Sequence, residues 1–70
     1  MTDVATFGKP SLTAQLNELR RERGMRNRVY PHLIATGKMK ARDALYQNLA
    51  LDAAIETIDK LIDQEKNRET

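Results

Sequence analysis

Large side chains recur through the first half of the chain at Leu12, Leu16, Leu19, Arg23, Arg26, Tyr30 and Leu33, with spacing 4, 3, 4, 3, 4, 3. That is the heptad stripe of an amphipathic helix. Ser11 precedes it as a natural N-cap, so the pattern predicts a helix from about Leu12 to about Ala35. Pro31 removes a backbone donor and crowds the preceding turn, which predicts a kink or short break near Val29–Pro31. Gly37 can take a positive φ without strain and marks the turn, Thr36 to Met39. A second stripe follows at Ala44, Asn48, Leu51, Ile55, Ile58 and Ile62, with spacing 4, 3, 4, 3, 4. With no glycine or proline after Gly37, a second helix is expected from Lys40 or Ala41 to about Glu65, fraying beyond Lys66.

Two long helices joined by so short a turn predict an all-α fold, an antiparallel two-helix hairpin. The expected organisation is an arm over residues 1–10, a hairpin domain over 11–66 and a frayed tail over 67–70. Phe7 is a candidate to pin the arm. Folding at Gly37 sets Leu33 against Arg42, Tyr30 against Leu45, Leu19 against Ile55 and Glu56, and Leu12 against Ile62.

The stripe of the first helix is interrupted by charge. Five arginines fall within nine residues: Arg20, Arg21, Arg23, Arg26 and Arg28. Arg23 and Arg26 sit where a leucine belongs. The hairpin register brings Arg23 to Asp52, a candidate structural ion pair, and Arg26 to Asn48 and Leu49. A charge so paired favours one register, because slipping a turn strands it.

Length and charge change the picture further. The chain has 70 residues and no cysteine. A lone core of this size leaves about 3–5 kcal/mol without disulfides, metal or oligomerisation. Leu49, Leu51, Ile58 and Leu61 span a wider arc of the second helix than one partner covers. A homo-oligomer is therefore expected, most simply a homodimeric four-helix bundle or coiled coil, against a monomer covered by its own arm. Residues 1–42 carry nine Lys/Arg against three Asp/Glu, and residues 43–70 carry three against seven, so the halves are +6 and −4. The halves can neutralise each other within or between chains, or the basic half can attract an anionic partner. No apolar run approaches the ~20 residues of a membrane span. Residues 1–10 lack the basic region and apolar core of a secretory leader. The expectation is a cytoplasmic protein with no membrane partner.

Candidate chemistry is sparse. His32 is the only histidine, and no Ser-His-Asp, Cys-His or glycine-rich phosphate arrangement accompanies it. It reads as a surface or turn residue. Asp52, Glu56, Asp59 and Asp63 share one helical face without a cleft to converge in, which reads as a solvated acidic face. Met25 and Met39 read as packing residues. No catalytic residue, cofactor, metal or small-molecule substrate is expected, and the chain does not read as an enzyme. The expected contact surface is basic: Arg20, Arg21 and Arg28 with Lys38 and Lys40 at the turn. Its partner is an acidic protein surface or, alternatively, nucleic acid held through phosphate contacts. Against nucleic acid, there is no helix-turn-helix spacing and no aromatic stacking platform.

The run Glu18-Leu19-Arg20-Arg21-Glu22, the segment Arg28-Val29-Tyr30-Pro31 and the turn Gly37-Lys38-Met39 before a long helix resemble a group of small uncharacterised helical proteins of tailed phages and prophages. The likeness covers about residues 16–62. It implies phage origin, a bacterial host cytoplasm and a helical hairpin, and no particular activity. Small phage proteins of this type are often accessory factors that act by binding, some on host defence and others in replication or recombination. Where that group has a small polar residue after the turn, this chain has Lys40, which leaves the second helix without a side-chain cap.

Overall fold

The computed structural model describes residues 8–68 of the chain. Two helices pack against each other, α1 over Leu12–Ala35 and α2 over Ala41–Arg68, and no strand occurs among the described residues. Residues 1–7, including Phe7, and residues 69–70 lie outside them.

Both ends of α1 are closed by local hydrogen bonds. Ser11 is extended (φ −65°, ψ 163°), and its Oγ accepts from the Ala14 amide at 3.1 Å. The Gln15 side chain reaches back to the Pro10 carbonyl at 3.0 Å. At the other end Gly37 takes φ +75°. The Lys38 amide bonds to the Leu33 carbonyl at 2.9 Å and the Gly37 amide to the Ile34 carbonyl at 3.1 Å. This is the Schellman closure, in which a left-handed glycine lets two amides satisfy the last carbonyls of the helix. Thr36 Oγ1 adds a bond to the His32 carbonyl at 2.9 Å.

Helical backbone continues through Val29–Pro31, so the chain does not break there. The ring still removes the amide that would serve the Asn27 carbonyl one turn earlier. At the start of α2 the Lys40 carbonyl accepts from the Asp43 and Ala44 amides, both at 3.1 Å. Asp43, in the first turn, complements the helix dipole. α2 is helical to Arg68, three residues past the expected Glu65. No breaker interrupts it, and Lys66 and Arg68 in the last turn suit the negative end of the dipole.

The core is a single seam. Leu16, Ala44 and Leu51 are the buried hydrophobic residues. Half-buried residues extend it along Leu12, Leu19 and Leu33 of α1 and Asn48, Ile55, Ile58 and Ile62 of α2. The inward positions of α2 are therefore the 4, 3, 4, 3, 4 stripe, which is what two helices crossing at a shallow angle require. The Cα radius of gyration is 15.9 Å, against about 11 Å for a compact domain of this length. A hairpin of this kind has little interior.

Candidate basic surface

The five clustered arginines divide into two groups according to the face of α1 they occupy. Arg23 and Arg26 lie on the side turned to α2 and are half-buried. Arg23 Nε donates to Asp52 Oδ1 at 2.8 Å, and its Nη1 donates to Asn27 Oδ1 at 2.6 Å. Arg26 Nε donates to Glu22 Oε2 at 3.0 Å, one turn back on its own helix. Its Nη1 reaches the Gln47 carbonyl at 3.1 Å, and its guanidinium carbon lies 5.4 Å from the centre of the Tyr30 ring. Tyr30 Oη donates to Gln47 Oε1 at 3.0 Å. Arg26 therefore has its acid on α1 itself. On α2 it meets Gln47, one position before the expected Asn48. The 22/26 spacing was the signal for this, since residues four apart share a face.

Arg20, Arg21 and Arg28 occupy the exposed side of α1. With Gly24 and Met25 they line one shallow open dish. The spacing explains it: residues 20, 24 and 28 recur every fourth position, with 21 and 25 alongside, so one strip of helix carries all five. Gly24 contributes no side chain, and a Cβ there would meet nothing within 4 Å. Arg21 is engaged by Glu18, with Nε to Oε1 at 3.1 Å and Nη2 to Oε2 at 3.0 Å. Its Nη1 also lies 3.6 Å from Met25 Sδ. The hydrogen bonds and charge of Arg21 hold the Glu18 carboxyl below the usual carboxylate range, and the same contacts raise the Arg21 guanidinium. Arg20 and Arg28 make no ion pair with any described residue. Gly24 and Met25 at the centre of the dish were not singled out by charge, although their register made them readable.

Lys38 and Lys40 line a different hollow, at the turn, with Gly37, Met39, Asp43 and Gln47. Arg28 and Lys38 are ten positions apart, roughly 15 Å along a helix axis. The expected basic surface is therefore two patches, one on the outer side of α1 and one at the closed end of the hairpin.

Other polar features are modest. Asn48 Oδ1 is buried in the seam without a hydrogen-bond partner. Beside it, Tyr30, Pro31, Ile34, Ala44 and Leu45 line a groove near the closed end. His32 is exposed in the last turn of α1. Among the described residues, no three His, Cys, Asp or Glu side chains form a group able to hold a metal ion. Neither helix is long and apolar enough to cross a membrane. Compared with protein-family models, curated proteins and solved structures, the chain matches none.

Proposed function

We propose that the chain is a non-catalytic accessory protein of phage type that binds an acidic macromolecular partner through the outer face of α1. The observation that carries this reading is the pair Arg20 and Arg28, set one turn either side of Gly24 with no described carboxylate on either. A guanidinium is planar, always charged and weakly hydrated, so it offers a bidentate fork to a carboxylate or phosphate at low desolvation cost. Arg21, already held by Glu18, serves as the flank of that site. Lys38 and Lys40 extend positive charge to the turn. Arg23 and Arg26 serve the hairpin, and a bend of α1 at Pro31 belongs to the same reading. The chain works as a homo-oligomer, because a seam that buries Leu16, Ala44 and Leu51 leaves Val29, Ile34, Leu45, Tyr46, Leu49 and Leu61 exposed.

The test is a titration with an acidic peptide and with duplex and single-stranded oligonucleotides, at about 50 and about 200 mM salt. Binding of the peptide, lost in Arg20→Glu/Arg28→Glu while helicity is retained, supports the reading. Binding of oligonucleotide alone, with a steep salt dependence, assigns the same guanidiniums to phosphate. No binding of either at low salt removes the proposed role.

A further inference from the structure

We infer that a second copy of this chain docks on the outer face of α2, antiparallel, with the two α2 helices at the centre and the two α1 helices outside. The inference rests on the oligomeric reading above and names the surface, the orientation and the register.

α2 carries a second stripe that its partner helix does not touch. Tyr46, Ala50, Ala53 and Thr57 repeat with spacing 4, 3, 4, on the side opposite the inward stripe. Leu49 and Leu61 flank them. All six are exposed, Tyr46 by 73% and Leu49 by 58%. The Thr57 hydroxyl donates to the Ala53 carbonyl of its own helix at 3.0 Å, so its polar group is already satisfied. The middle of the face is thus free of unsatisfied polar groups. Its small side chains permit close approach of another helix.

The exposed area is large enough to take an occupant of substantial size. The chain exposes 5852 Å², whereas a compact monomer of 8.0 kDa exposes about 4,450 Å². The excess is roughly 1,400 Å², and a standard interface covers about 800 Å² per partner.

Charge points to the same chain as that occupant. Apart from Asp43, Lys60 and the terminal Lys66 and Arg68, bases stand at the start of α2 (Lys40 just before it, then Arg42) and acids further along it (Asp52, Glu56, Asp59, Asp63, Glu65). That order opposes the helix dipole, but it is complementary to itself when reversed. Setting Ala50 opposite the second copy's Ala53 places Tyr46 on the second copy's Thr57. The same register sets Lys60 level with Asp43 at the edges of that stripe. Asp43 makes no ion pair with any described residue, and among them Lys60 meets only Glu56, at 3.1 Å, with both side chains well exposed. A parallel pairing instead sets Asp43 against Asp43. The antiparallel arrangement leaves both arginine dishes outward, so the dimer is bivalent for an acidic partner.

Sedimentation equilibrium of the full chain tests this at about 100 μM, well above the micromolar dissociation such an interface implies. The expected mass is twice 8.0 kDa. Ala53→Glu, exposed in the single chain, is expected to return the single-chain mass with its helicity intact. Lys60→Glu is expected to weaken the dimer about tenfold, and Asp43→Lys in the same chain to restore it. A single-chain mass for the unmodified protein, an assembly indifferent to Ala53→Glu, or no restoration by the charge swap overturns the inference. Arg20→Glu/Arg28→Glu leaves the mass unchanged, which separates this inference from the binding role of α1.

Discussion

Removing the Asp52 carboxylate is the sharpest probe of how the misplaced arginines are tolerated. Arg23 Nε lies 2.8 Å from Asp52 Oδ1, and the two side chains are 28% and 48% exposed. Two unit charges 4 Å apart attract by about 1 kcal/mol in water and by about 4 kcal/mol near a protein surface of intermediate dielectric. Nearly half of Asp52 faces water, so screening wins and the pair belongs at the upper end of the surface range, about 1 kcal/mol. Arg23→Leu loses that pair and gains partial burial of a leucine on the heptad stripe, also about 1 kcal/mol. The two nearly cancel. Asp52→Ala is therefore expected to cost about 1 kcal/mol, Arg23→Leu close to nothing, and the double variant no more than either alone. Urea unfolding followed by far-UV circular dichroism measures the cycle. Chain concentration must be held fixed, because assembly couples to stability. A coupling below about 0.3 kcal/mol is within ordinary non-additivity and refutes the claim that this pair links the helices. A coupling that does not shrink as salt is raised contradicts the screening argument.

Three further outcomes follow from named residues. The two helix-region glycines should respond with opposite sign: Gly37→Ala costs about 1 kcal/mol because φ is +75° there, whereas Gly24→Ala stabilises by about 0.5–1 kcal/mol because its Cβ meets nothing within 4 Å. Equal effects in thermal unfolding contradict the turn assignment. Asn48→Leu is expected to raise stability by about 1 kcal/mol, since it removes a buried acceptor without a partner, and to broaden the distribution of assembly states seen in native mass spectrometry. A loss of stability shows that Asn48 Oδ1 is satisfied in solution. Glu18 titrates below its unfolded value because Arg21 favours its charged form. Its contribution is thus complete above the unfolded carboxylate range and fades as pH falls through the lowered folded value. Carboxyl NMR should show this depression disappear in Arg21→Gln, and a depression that persists assigns it to another cause.

Much of the hairpin could be read from the chain because its signals are local. Helix starts, the glycine stop and the inward stripe each depend on neighbours within a few residues: Ser11 caps Ala14, Gly37 closes Leu33 and Ile34, and Ala44 to Ile62 keep one face. At Pro31 the helix runs on without the short break that was one of the two expected outcomes. Proline forbids one hydrogen bond, and packing of the flanking turns keeps the helix continuous despite that loss. α2 is helical to Arg68, three residues past the expected Glu65, and no glycine or proline lies there to stop it.

The site was legible as composition and helical register. The sequence alone determined that five arginines crowd one stretch and that two of them interrupt an apolar stripe. It also determined that Arg20, Arg21, Gly24, Met25 and Arg28 share a strip of helix, since periodicity fixes which positions are neighbours. Only the tertiary structure decided which of several reachable partners each charge takes. Within α1 Glu22 takes Arg26 and Glu18 takes Arg21, and across the hairpin Arg23 meets Asp52, the residue the register sets beside it, while Arg26 finds Gln47 in place of Asn48. It also separated the turn lysines from the α1 face and left the outer side of α2 uncovered. The physical reason is range. Helical periodicity is set by bonds between near neighbours, whereas the pairing of a charge depends on which of several reachable partners the packed register brings within about 3 Å.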